Sequence, residues 1–97
     1  MATRELPAPS ATKSASDAEE VLRVWIVDRK DLAMTFPPGL YGEDVWKWGR
    51  LFAHAARYIA HAHAQETGQS EAEALAVIRL NIDDELASGD SAAGARR

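Results

Sequence analysis

Five nitrogen-bearing side chains, Lys47, Arg50, His54, Arg57 and His61, follow one another at steps of three and four residues. That spacing sets all five on one face of a helix. No acidic residue occurs from Val45 to Gln65, so the face concentrates positive potential in a chain whose formal net charge is −4. Carboxylates, phosphates or an acidic protein surface are what such a face attracts. The same residues also satisfy a plainer need, since an amphipathic helix requires a solvated side opposite its apolar stripe. Nucleic acid is the less favoured partner, because Lys47, Arg50 and Arg57 are few against the roughly 6–10 phosphate contacts of a DNA-binding protein.

The same side chains do not suit a metal ion. His54 and His61 stand about 10.5 Å apart along a helix, and His63 points to a different side from His61. Asp83-Asp84-Glu85 lacks the glycine-bearing loop of a calcium site and reads as helix-end charge. For catalysis a nucleophile, a base and an orienting group must meet in one pocket. The chain has no cysteine, and its mid-domain hydroxyls, Thr35, Tyr41 and Tyr58, sit in no catalytic pattern. Gly39, Gly42 and Gly49 lack the spacing of a phosphate loop. The sequence therefore predicts a non-enzymatic protein with no cofactor.

The elements that must carry the basic face follow from periodicity. Leu22, Val24 and Ile26 alternate with Arg23 and Trp25 as in a strand, and Leu32, Met34 and Phe36 alternate again after the polar link Asp28-Arg29-Lys30-Asp31. This predicts a β-hairpin whose inward face holds Leu22, Val24, Ile26, Leu32, Met34 and Phe36, leaving Arg23, Trp25, Val27, Ala33 and Thr35 outward. Pro37-Pro38-Gly39 ends the ladder, and Glu43-Asp44 places negative charge where a helix begins. Trp48, Phe52, Ala55, Ile59 and Ala62 give that helix its apolar stripe, with Gly68 as its C-terminal cap. Ser70 and Glu73 form a capping box for a second helix, buried along Ala74, Leu75, Ile78, Ile82 and Leu86, widened by Val77 and Leu80 and stopped at Gly89. The short Thr67-Gly68-Gln69 link makes the helices antiparallel. The predicted fold class is α+β, in the order strand, strand, helix, helix.

The polar, low-complexity ends, 1–17 and 89–97, are expected to be a disordered arm and tail around a single domain of residues 18–88. A unit of that size buries only about 60% of the surface its unfolded chain exposes, and without cysteine no disulfide adds to it. Association with a second copy is the common remedy. Joining two hairpins edge to edge, as a four-stranded sheet across a dimer, would also close the open edges of a two-stranded ribbon, and setting the two Trp25 faces together is the other arrangement, between which the sequence does not choose. Arg23, Trp25 and Trp46 are the candidate self-association residues, large aromatics being enriched at interface centres. Glu71, Glu73, Asp83, Asp84 and Glu85 supply opposite charge to the first helix, for pairing within the fold or across a dimer. No apolar run approaches the roughly 20 residues of a membrane helix, and the first 16 residues lack the apolar segment of a secretory signal. No membrane and a cytoplasmic location are the expectations.

The run Val21-Leu22-Arg23-Val24-Trp25-Ile26-Val27, then Trp46-Lys47-Trp48-Gly49, Arg57 with Ala60, and Asp84-Glu85-Leu86 resembles a family of small, uncharacterised alphaproteobacterial proteins of about one hundred residues. The resemblance spans Val21 to Leu86 and implies a bacterial protein, with no activity and no site residues to carry over. The functional expectation is a homodimeric interaction module that self-associates through Trp25 and the hairpin and offers Lys47, Arg50, His54, Arg57 and His61 to an acidic protein. The alternative is a small-ligand or nucleic-acid binding domain working through the same face.

Overall fold

The computed structural model describes residues 2–88 and 95–96. Its elements are α1 (Ser10–Ser14), β1 (Arg23–Val27), β2 (Asp31–Thr35), α2 (Trp46–Thr67), α3 (Glu71–Ser88) and β3 (Ala95–Arg96). The architecture is α+β, an antiparallel hairpin followed by a helical hairpin. Two small elements extend the expected set. One exposed helical turn, α1, lies inside the polar N-terminal arm. In the polar tail, β3 lies parallel to β2, Ala95 beside Leu32 and Arg96 beside Ala33. The rest of the tail, with Gly89, lies outside the described residues.

In the hairpin, Val24 pairs with Met34, Trp25 with Ala33 and Ile26 with Leu32. Directly paired residues share a face, so the two sets of side chains sort as alternation predicts. Which set is covered departs from the prediction. Val24, Ile26 and Leu32 are exposed, while Trp25, Val27 and Ala33 on the other face are half-buried. Only Leu22, Met34 and Phe36, away from the turn, keep the partial cover expected of the inward face. The physical reason is that both faces are apolar, so the pattern separates them without ranking them. The turn is shorter than the link read from sequence, Asp31 already lying in β2. Asp28 and Arg29 adopt φ of 53° and 64°, and the Lys30 N–H donates to the Val27 carbonyl at 3.2 Å. Two successive left-handed residues match the twist of a hairpin but are a conformation that glycine and asparagine favour.

The helical hairpin is capped much as its sequence predicts. Gly68, at φ 76°, closes α2 by donating its N–H to the Ala64 carbonyl at 2.9 Å. The Ser70 hydroxyl opens α3 by accepting the Glu73 N–H at 3.3 Å. The helices pack antiparallel on Ala56, Ala60 and Ala74, which are the buried apolar residues among those described. This corrects the predicted stripe of α2. Trp48 and Ala55 are half-buried, but Phe52, Ile59 and Ala62 are exposed. Apolar side chains cover more than half of the circumference of α2, and α3 approaches where alanines permit the closest contact. On α3, Leu75 and Ile78 are half-buried as expected, whereas Ile82 and Leu86 lower on the same stripe are exposed.

An aromatic knot joins the two hairpins. Trp48 on α2 meets Phe36 at 5.9 Å and Tyr41 at 5.2 Å between ring centroids, both edge to face. Such pairs add about 0.5–1.5 kcal/mol beyond their buried area. The knot secures the Pro37–Pro38 loop between β2 and α2.

Candidate functional site

The face of α2 is set by its own periodicity. Arg50, His54, Arg57 and His61 are exposed along it, and Lys47 is half-buried at its start. Its two ends are partnered. The Lys47 Nζ lies 3.5 Å from Asp44 Oδ2 and 5.6 Å from the centre of the Trp46 ring. At the far end His61 Nδ1 lies 2.7 Å from Glu71 Oε1, at the start of α3. Between them, Arg50, His54 and Arg57 have no hydrogen-bond or ion-pair partner among the described residues. His63 instead meets Gln69 Oε1 at 2.8 Å. No three His, Asp or Glu side chains converge on one point among the described residues.

A shallow groove runs beside this face. Val21, Leu51 and Ala55 line its apolar part, Tyr41 and Tyr58 add aromatic edges, and Lys47, Arg50 and His54 add charge. It is thus an open trough with an apolar bed and a cationic rim, suited to an amphipathic, negatively charged surface.

The candidate self-association residues separate. Trp46 is 61% exposed at the first position of α2. Trp25 is half-buried beside Ala33. Arg23 is engaged by acidic partners that the sequence reading did not single out. Its guanidinium donates to Glu20 at 2.9 Å and to Glu5 at 3.0 Å. The Glu20 bond and charge, and then Glu5, hold that guanidinium above its ordinary pKa. Glu5 is 18 residues away in sequence, so these bonds tie the arm to the hairpin. No local pattern announces a contact of that separation.

The acids of α3 do not neutralise the basic face from within. Glu71 pairs with His61, but Glu73, Asp83, Asp84 and Glu85 form no ion pair among the described residues. The last turn of α3 carries no basic residue. Acidic side chains there sit at the negative end of the helix dipole, the unfavourable end for them.

A small α+β domain with an exposed cationic helix face is the class these observations define. The chain belongs to the family described as Domain of unknown function (DUF5076), which matches residues 5–89. The family match agrees with the resemblance carried by the Val21–Val27 run, the tryptophans of α2 and the Asp84-Glu85-Leu86 close. Among solved structures the chain is similar to one described as "Structure of a putative pyruvate dehydrogenase from the photosynthetic bacterium Rhodopseudomonas palustrus CGA009". The two are 32% identical with a TM-score of 0.65, over 89% of this chain and 86% of that one. No curated protein matches the chain. Among the described residues no helix is long and apolar enough to cross a membrane.

Proposed function

We propose that this chain is a non-enzymatic, homodimeric interaction module, with the basic face of α2 as its docking surface for acidic groups. One observation carries the reading. The chain leaves 8594 Å² of surface accessible, against about 5,500 Å² for a compact monomer of its mass. Its radius of gyration is 15.5 Å, against about 13 Å for a compact domain of 100 residues. The extended arm contributes to the excess, and on the helices Phe52, Ile59, Val77, Leu80, Ile82 and Leu86 are all substantially exposed. Patches of that kind mark surfaces that another molecule covers.

Light scattering on the full chain after size separation tests the reading. A molar mass near twice 10.6 kDa at micromolar concentration is the expected result, and a monomer throughout would overturn it. The second reading, a small-ligand or nucleic-acid binding domain, is favoured by unpartnered Arg50, His54 and Arg57 beside the groove. It predicts a salt-dependent shift with oligonucleotides or small anions that Arg50→Glu with Arg57→Glu abolishes. The pyruvate dehydrogenase name belongs to the Rhodopseudomonas protein.

A further inference from the structure

The sheet leaves one strand edge open. β3 lies along the far side of β2, so β1 is the outer strand on the other side. Among the described residues no backbone group bonds β1 from that side. The edge also lacks the usual guards against pairing, since Arg23–Val27 contains neither proline nor lysine and its register with β2 runs without a bulge. Its one charged residue, Arg23, is engaged by Glu20 and Glu5. The arm is exposed all along residues 2–20 and so does not pack against the strand. Cover on the hairpin falls away toward the turn. Leu22, Met34 and Phe36 are half-buried at the end that α2 reaches through Trp48, whereas Val24 is 49% and Ile26 71% exposed.

We propose that a second copy of the chain pairs on this edge, β1 against β1 in antiparallel order, about a two-fold axis that passes between the two Trp25 residues. Open backbone donors and acceptors fix the class of partner, because only another extended strand satisfies them in a row. The side chains of β1 suit β1 itself. The register centred on Trp25 sets Val24 opposite Ile26, Trp25 opposite its own copy and Arg23 opposite Val27, so no like charges face each other. The axis stands perpendicular to the sheet, which keeps the same face of both hairpins on one side. Ile26, the more exposed of the two apolar residues, then lies opposite the other copy's Val24 and diagonal to its Leu22. Antiparallel order thus brings the bare turn end of each hairpin alongside the helix-covered end of the other, which accounts for the uneven cover within one chain. The contact is self-complementary and closes on itself. The inference rests on the homodimeric reading and supplies its interface, leaving the basic face of α2 free for acidic groups.

The test is disulfide trapping in the full chain, which has no cysteine of its own. One variant carries Val24→Cys and the other Ile26→Cys, both at exposed positions, with circular dichroism to verify that each keeps its fold. Directly opposed residues of antiparallel strands have Cα atoms about 4.5–5.5 Å apart, within the reach of a disulfide. In either variant alone the two cysteines are diagonal neighbours about 7–8 Å apart, beyond that reach. An equimolar mixture under mild oxidation is therefore expected to form covalent dimer at least about tenfold faster than either variant alone. A wild-type dimer whose mixture cross-links no faster than the single variants would overturn this interface, while leaving the homodimeric reading standing through another face. A wild-type monomer would overturn both and leave the edge to a strand of another protein.

Discussion

At the scale of single residues, the hairpin turn and the Arg23 cluster have separable roles. Asp28 and Arg29 hold left-handed backbone that costs an ordinary residue about 1–2 kcal/mol. Replacing Asp28-Arg29 by Asn-Gly is therefore expected to stabilise the chain by about 1 kcal/mol, read as a higher urea midpoint with an unchanged slope. Arg23 joins exposed carboxylates, and such pairs contribute little to global stability. Arg23→Ala should leave the thermal midpoint where it is but free the arm, seen as faster amide exchange or proteolysis around residues 5–20. A lower midpoint without faster exchange would mean that Arg23 supports the hairpin instead.

At the scale of elements, the helical hairpin depends on its link. Gly68 sits at φ 76° with open space around its Cβ position, so Gly68→Ala strains only the backbone. The expected loss is about 1 kcal/mol. Ser70→Ala removes the acceptor for the Glu73 N–H and should cost about 1 kcal/mol as well. The two effects are expected to be measurable by chemical denaturation in either variant alone. Trp48 has a different role, since its ring is the hinge pin between the sheet and α2. Trp48→Ala is expected to cost about 3 kcal/mol or more and to loosen the hairpin from the helices. A change confined to Trp48 fluorescence, with stability intact, would show that the two hairpins hold together by other contacts.

For the whole molecule, a fold whose buried apolar residues, among those described, are three alanines has little margin of its own. Stability drawn from a second copy depends on concentration. Thermal midpoints are expected to rise on going from low to high micromolar chain. A midpoint independent of concentration would argue that the single chain is self-sufficient.

What the sequence determined by itself was local. Alternation separated the two faces of the β-hairpin, and Gly68 and Ser70 marked the helix ends, because strand period and capping act over a few neighbouring residues. Spacing alone likewise placed Lys47, Arg50, His54, Arg57 and His61 on one side of α2. Only the tertiary structure decided which faces are covered. Val24 and Ile26 lie open while Trp25 is half-covered, and Ala56 and Ala60 meet α3 in place of Phe52 and Ile59. Where apolar residues encircle an element, periodicity names no preferred side, and the side is chosen by whichever neighbour packs closest. The Arg23–Glu5 bond, the Trp48 knot and the placement of β3 beside β2 join residues far apart in the chain. Such contacts leave no periodic trace, since they depend on where the connecting loops return the chain.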